Sequence, residues 1–177
     1  SMLMRDGNSI LLSILVATAV GGVVGIINGG IINDLKVTPF IATLGMMYII
    51  RAFVLLITNA SYISPLPKSF INFAADSYFF IPSLFLIWIV IVVIAYFVSK
   101  YTRLGRNIFA IGCNKECARL SGINIRINTY MVYIIVSALA AFAGVLTAGR
   151  LATGLPMAGM GYELQVIAAV VVGGGSL

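Results

Sequence analysis

Residues 100–128 read KYTRLGRNIFAIGCNKECARLSGINIRIN and form the main polar interruption in a chain that is otherwise apolar. The stretch holds six of the eleven basic residues against a single acid, Glu116, so it carries a net charge of +5 out of +6 for the whole chain. Basic loops of membrane proteins stay on the cytoplasmic side during insertion. The stretch therefore predicts a cytoplasmic loop between two membrane spans.

The overall composition supports this interpretation. The chain has 177 residues, of which 61% are hydrophobic and 9% charged, whereas soluble domains carry roughly a quarter charged residues. It has no His and five acids, which leaves little material for metal ligation or general acid–base catalysis. We expect no metal, no cofactor and no nucleic-acid partner, because a basic loop between spans accounts for the positive charge.

Four apolar runs are long enough to cross a hydrocarbon core roughly 30 Å thick. They cover residues 10–32, 37–58, 79–99 and 129–149, and a fifth apolar segment begins at Leu164 and breaks at the glycines of residues 173–175. The pattern predicts an all-α, polytopic transmembrane helix bundle with about four complete spans and a truncated fifth. We expect the chain to be an internal fragment of a longer membrane protein.

Small residues recur every fourth position in two of these runs. Gly21, Gly25 and Gly29 lie on one face of the first predicted helix, and residues 140, 144 and 148 repeat the spacing in the fourth. Small residues let two helix backbones approach closely in a membrane. The spacing therefore predicts a close helix–helix contact along the first span.

A cytoplasmic loop at residues 100–128 fixes the other loops. Residues 33–36 become a tight turn inside, while residues 59–78 and 150–163 become external loops, the first with a short interfacial helix near residues 70–75. Arg51 is the one charge within the second run. It can face the bundle interior or extend to the interface, and the sequence leaves both open.

Within the polar stretch, the pattern predicts a short helix over residues 115–121. Asn114 is a good N-cap, and Gly122 can supply the left-handed residue that follows a helix. Glu116 lies in the first turn and Arg119 in the last, each at the end that the helix dipole favours.

Cys113, Cys117 and Leu120 are spaced i, i+4, i+7 and are expected to share an apolar face of this helix. A short amphipathic helix between two spans can dock into a partner or lie on the lipid surface, and the spacing leaves both open. The two cysteines lack further ligands for a metal and are expected to be reduced in the cytoplasm.

Three stretches carry a resemblance to a known family. They are INGGIINDLKVTPFIATLG (27–45), TRLGRNIFAIGCNKECARLSGI (102–123) and RLATGLPMAGMGYELQVIAAVVVGGGSL (150–177). Together they resemble the permease subunit of a bacterial ATP-binding-cassette importer for monosaccharides, of the ribose import type. The sequence departs from the family at Cys113, where glycine is common, and in length, since the family's chains extend further at both ends.

The resemblance implies a permease subunit of the bacterial inner membrane without catalysis of its own. Residues 1–177 would be part of the permease domain, with residues 100–128 as its cytoplasmic coupling loop. The implied partners are a second permease subunit as a homodimer, a cytoplasmic ATPase, a periplasmic sugar-binding protein and the lipid bilayer. By position, the ATPase-coupling role falls to Arg103, Gly105, Arg106, Gly112, Asn114, Ala118, Arg119, Leu120, Ser121 and Gly122.

A sugar pathway needs hydrogen-bonding groups and aromatic faces without strong charge. The candidates, for which ordinary packing is the alternative role, are Thr38, Phe40, Thr43, Tyr48, Arg51, Tyr162, Glu163 and Gln165. A related importer of branched-chain amino acids or nucleosides would share the architecture. A secondary transporter usually couples through intramembrane acids, and the four predicted spans contain none.

Overall fold

The structure is a computed structural model that describes residues 9–64, 67, 70–71, 77–78 and 81–175. Within this part of the chain the regular structure is helical apart from one antiparallel pair of two-residue strands and one isolated bridge. The elements are α1 (Ile10–Asp34), α2 (Pro39–Thr58), β1 (Ser77–Tyr78), β2 (Ile81–Pro82), α3 (Ser83–Tyr101), α4 (Arg103–Cys113), α5 (Lys115–Leu120), α6 (Ile125–Leu151) and α7 (Tyr162–Val172).

Four of these helices, α1, α2, α3 and α6, are long and apolar enough to cross a membrane, with 19 to 27 residues and mean hydropathy of 2.2 to 2.6. The predicted set of four spans is confirmed. The shorter α7 is the fifth apolar segment, and it ends at Val172, where the glycine triplet begins. The fold is thus the predicted all-α polytopic bundle.

The third and fourth spans begin at other residues than predicted. The third span begins at Ser83 because Ile81 and Pro82 pair with Tyr78 and Ser77 as strands. The fourth begins at Ile125, because the side chain of Asn124 accepts a hydrogen bond from the backbone N–H of Ile127 at 3.1 Å.

The turn between the first two spans has the predicted length of four residues but lies two residues later, at residues 35–38. Asn33 and Asp34 belong to the last turn of α1, and Lys36 adopts a left-handed conformation with φ of 55°. Pro39 occupies the first turn of α2, as expected, where its missing N–H has no partner to lose. In the first external loop, Phe70 and Ile71 are helical, and the rest of the helix predicted near residues 70–75 lies outside the described residues.

The closest packing in the bundle joins α1 to α6 through the predicted glycine face. A Cβ placed on Gly21 would lie 2.6 Å from the carbonyl oxygen of Ser137, and one on Gly25 would lie 2.5 Å from that of Tyr133. A Cβ on Gly29 would meet the ring of Tyr130 at 2.6 Å. The predicted close contact is confirmed, because only glycine fits between the two backbones.

The small residues repeated in the fourth span do not form the matching half of this contact. A Cβ on Gly144 would meet no atom within 4 Å among the described residues, and Ala148 packs against Phe70 instead. Phe70 is 1% exposed and fills the end of the bundle between α1 and α6. Nearby, Ile63 and Gly154 exchange two backbone hydrogen bonds of 3.0 Å, which join the two loops assigned to the outside.

We expect the substitution Gly25→Ala to lower the free energy of unfolding of the full-length protein by about 1–3 kcal/mol, the usual cost of overpacking. Gly144→Ala is the matched control, since its added methyl group meets open space here and alanine favours a helix over glycine. The measurement is reversible unfolding in detergent. Equal stability of the two variants would contradict the contact.

Candidate functional site

The polar loop consists of two helices, whereas the sequence predicted only one. The additional helix, α4, begins after Thr102, whose side chain accepts a hydrogen bond from the N–H of Gly105 at 3.2 Å. Its apolar residues Leu104, Ile108 and Ile111 follow the i, i+4, i+7 pattern of an amphipathic helix. That pattern was available in the sequence and was missed because the charges of the loop dominate it.

The corner between α3 and α4 is tight. Thr102 is extended there, and its hydroxyl also donates to the carbonyl of Val98 at 2.6 Å. Gly105 is buried with its Cα so close to the end of α3 that a Cβ would collide with the carbonyl oxygen of Ser99. Gly105 therefore serves the packing of this corner, and α4 folds back from the end of the span.

The helix α5 is fixed at both ends by the residues that the sequence indicated. The side-chain oxygen of Asn114 accepts hydrogen bonds of 3.0 Å from the N–H groups of Glu116 and Cys117. Gly122 has φ of +79° and its N–H donates to Arg119, while the N–H of the following residue donates to Ala118. This pair of bonds is the Schellman motif, and α5 ends one residue earlier than predicted.

The apolar face predicted for α5 is wrong in part. Cys113 is the last residue of α4, and the extended backbone of Asn114, with φ of −156°, separates it from α5. Ala118 is the residue that packs inward, at 3% exposed. Leu120 is 81% exposed, and Cys117 is exposed as well, so the outward surface of α5 combines apolar and charged side chains.

Polar contacts at this end of the bundle attach the loop to the spans. Asn107 of α4 donates to the side-chain oxygen of Asn128 of α6 at 3.4 Å. Asp34, in the last turn of α1, accepts from Arg126 at 2.7 Å and from the hydroxyl of Tyr130 at 3.0 Å. The role of Asp34 was missed, although it is one of five acids and lies within the predicted turn of residues 33–36.

The substrate-pathway residues are distributed over α2 and α7. Phe40, Tyr48 and Tyr162 are exposed by more than half, and the hydroxyl of Thr43 donates to the carbonyl oxygen of Pro39 in its own helix at 2.9 Å. Thr38 is the N-cap residue of α2, but its side chain accepts no hydrogen bond from the backbone of the helix. Tyr162, Glu163 and Gln165 lie in the first turns of α7, where Glu163 is half-buried.

Arg51 is half-buried and borders a small cavity of about 260 Å³, whose other lining residues are Met47, Ile50, Val54 and Pro156. Pro156 belongs to the loop between α6 and α7, so this cavity lies where α2 meets that loop. Within the described residues, none of the other pathway candidates lines it. The structure therefore does not collect the predicted set into one site.

These features define a class of protein: a multi-pass membrane protein with a folded, basic helical hairpin between its third and fourth spans. A family model described as branched-chain amino acid transport system / permease component matches residues 1–177. The chain belongs to this permease family. Four apolar helices and the family membership together identify a multi-pass protein of the bacterial inner membrane.

Curated relatives support the assignment. The galactose/methyl galactoside import permease protein of Haemophilus influenzae is 41% identical over 168 residues, covering 91% of this chain and 50% of the relative. The D-allose transport system permease protein of Escherichia coli is 40% identical over 157 residues, covering 89% and 48%. The ribose import permease protein of Escherichia coli is 37% identical over 174 residues, covering 94% and 53%.

The chain thus spans about half the length of the curated relatives it matches. No solved structure matches it significantly. The matches confirm, at the level of the permease family, the resemblance read from residues 27–45, 102–123 and 150–177.

We expect Asn114→Ala to loosen the start of α5. Loss of an N-cap costs about 1 kcal/mol, so the amide hydrogens of Glu116 and Cys117 should exchange roughly fivefold faster. Asn114→Asp keeps an acceptor oxygen in place and is the matched control. Hydrogen exchange measured on the full-length protein checks this, and unchanged exchange in Asn114→Ala would contradict the cap.

Proposed function

We propose that the protein is the permease subunit of an ATP-driven, binding-protein-dependent importer of a monosaccharide. In this proposal it forms the translocation pathway with a second copy of itself, receives sugar from a periplasmic binding protein, and couples to a cytoplasmic ATPase. The observation that carries the proposal is the helix α5, which is capped at both ends and exposes Leu120 and Arg119, in a chain of the permease family.

The exposure of α5 supports docking. The side chain of Ala118 is buried and attaches α5 to the rest of the protein. The opposite surface of the helix, which includes Leu120, is exposed and accessible to a partner. A rigid helix that presents an apolar anchor beside a charge is a common way to fill a groove on another protein. The same surface would also suit lipid, but the family membership favours an ATPase as the occupant.

The residues assigned to coupling then divide into distinct roles. Gly105 packs the corner between α3 and α4, and Asn114 and Gly122 terminate α5. Those left to meet the ATPase are exposed: Arg103, Arg106, Gly112, Arg119, Leu120 and Ser121. Most of the glycine and asparagine positions thus support the shape of the loop, and the charged and apolar side chains make the contact.

The polar contacts of the loop supply a path from α5 to the spans. A displacement of α4 acts on α6 through Asn107 and Asn128, and α6 acts on the end of α1 through Arg126 and Asp34. Asp34 is followed by the turn that leads into α2, which holds four of the eight pathway candidates. The loop can therefore move the first, second and fourth spans together.

The substrate class rests on the relatives, whose names specify ribose, galactose and methyl galactoside, D-allose and L-arabinose. We propose a monosaccharide without choosing among these. The family description names branched-chain amino acids, which makes an amino-acid importer the second candidate. Transport assays with the cognate binding protein, loaded with each sugar or with leucine, separate the two.

We expect Leu120→Ala and Arg119→Glu to weaken the complex with the ATPase by tenfold or more, the loss roughly expected at an interface hot spot. Both side chains are exposed, so membrane insertion and the free permease should keep their stability. The measurements are copurification of the ATPase with the full-length permease and ATP-driven uptake in vesicles.

Arg119→Lys is the matched control, because it keeps the charge at the end of α5 and should retain much of the coupling. Uptake and copurification at the wild-type level in Leu120→Ala and Arg119→Glu would reject the docking role of α5.

The two cysteines report the side of the membrane on which the loop lies. Both are exposed, and they are the only cysteines of the sequence given, so a membrane-impermeant maleimide should label them without unfolding. We expect labelling in inverted vesicles and none in right-side-out vesicles. Labelling from the outside would reverse the topology and remove the ATPase from reach of α5.

A further inference from the structure

Arg51 is a charged residue inside a membrane span. It lies in α2, seven residues before the helix ends at Thr58, and at 1.5 Å per residue this is about 10 Å from that end. One face of α2 carries large apolar side chains that are more than half exposed, namely Ile49, Phe53, Leu56 and Ile57. Arg51 lies on the opposite face with Met47 and Ile50, and all three are half-buried. Arg51 therefore faces the protein, and the apolar face is the one turned toward lipid.

The residue borders the cavity of about 260 Å³ between α2 and the loop that joins α6 to α7. The rest of the lining is apolar and consists of Met47, Ile50, Val54 and Pro156. The loop is fixed two residues before Pro156, where Gly154 exchanges backbone hydrogen bonds with Ile63. Ligand pockets are commonly built in this way, with a largely apolar lining and a few polar groups that fix orientation. The cavity thus offers a small solute an apolar wall and one charged group.

The charge of Arg51 is not compensated within the described part of the chain. No described residue accepts a hydrogen bond from its guanidinium group, and the one ion pair found there joins Arg126 to Asp34 at the opposite end of the bundle. A charge inside a membrane is costly, and such residues face a water-filled cavity or a group that pairs with them. The N–H donors of Arg51 are held in a planar fork and remain available. The cavity is therefore suited to a solute that arrives through water and carries acceptors on neighbouring atoms.

We propose that Arg51 binds the transported solute, with its guanidinium group donating to two neighbouring hydroxyl oxygens of a monosaccharide. This inference rests on the proposed function and assigns one residue of the translocation pathway. The hydroxyl groups meet Arg51, and the C–H face of the sugar packs on the apolar lining of the cavity. The rigid fork of an arginine reaches two oxygens at once, whereas the ammonium group of a lysine acts as a point charge.

A carboxylate of the protein is the competing partner for Arg51, whether it comes from another part of the assembly or from a second copy of the chain. Such an ion pair makes Arg51 indifferent to the chemistry of the solute. Its loss would lower the transport of every solute by the same factor. The loss of a contact with the solute instead changes the preference among solutes, and this difference separates the two roles.

The test compares the uptake of a sugar with that of its monodeoxy analogues, each of which lacks one hydroxyl group. The full-length permease and its ATPase are placed in vesicles, and the cognate binding protein is supplied saturated with one solute at a time. The sugar is whichever of ribose, galactose, D-allose and L-arabinose the wild type transports fastest. A hydrogen bond to a charged group corresponds to roughly a tenfold factor or more. The wild type should therefore transport the sugar about tenfold faster than an analogue that lacks a contacted hydroxyl group.

We expect Arg51→Met to transport the sugar and this analogue at the same reduced rate, because the hydroxyl group has lost its donor. The variant removes a charge from a span, which does not hinder insertion. Arg51→Lys keeps the charge without the fork and should retain only part of the preference. Arg150→Met is the matched control, since it removes a basic residue from the end of α6, outside the lining of the cavity. It should keep the full preference of the wild type.

The proposal is overturned if Arg51→Met keeps the wild-type preference for every analogue, or if Arg150→Met loses that preference as well. It is also overturned if the wild type transports all the analogues as fast as the sugar, because no hydroxyl group is then recognised by the permease. If Arg51→Met is inactive, the same ratio in Arg51→Lys decides, and an unchanged ratio rejects the site. A wild type that transports leucine and no sugar would reject the proposed function and the sugar site together, and this outcome is distinct from the others.

Discussion

The contact between α1 and α6 is the constraint on which the described structure depends. Three glycines on one face of α1 bring its backbone against α6 so closely that the carbonyl oxygens of Ser137 and Tyr133 stand where side chains would otherwise be. In a membrane the hydrophobic effect does not drive helices together, so this contact must derive its stability from van der Waals packing. The glycines make this packing possible because they allow close approach along about two turns of the helix.

The same contact positions the polar end of the bundle. Because Gly29 has no side chain, the ring of Tyr130 lies against α1, and its hydroxyl reaches the carboxylate of Asp34. Arg126, one helical turn before Tyr130, reaches the other oxygen of the same carboxylate. The link between the loop and the first two spans therefore follows from glycine packing deeper in the bundle. An exposed ion pair contributes little stability by itself, so its value here lies in setting register.

The sequence predicted the parts of this protein that are governed by local chemistry. Hydropathy predicted all four long helices, and cap residues predicted α5, since Asn114 and Gly122 bond to neighbours two to three residues away. The helix α4 was not predicted, because its short apolar periodicity lies among the basic residues of the loop. The pairing of Asp34 with α6 could not be derived, because it joins residues 92 and 96 positions apart and depends on which two helices meet. The same reason explains the scattered pathway candidates: residue type alone does not indicate which helices enclose a cavity.

The tight corner between α3 and α4 positions the whole polar loop. Gly105 lets α4 fold back against the end of α3, and this places Arg106 beside Lys100 on one side and Leu104 beside Val98 on the other. A larger residue at position 105 would move α4, and with it the whole α4–α5 hairpin, away from the end of the span. The position of α5 relative to the spans is thus set by this corner.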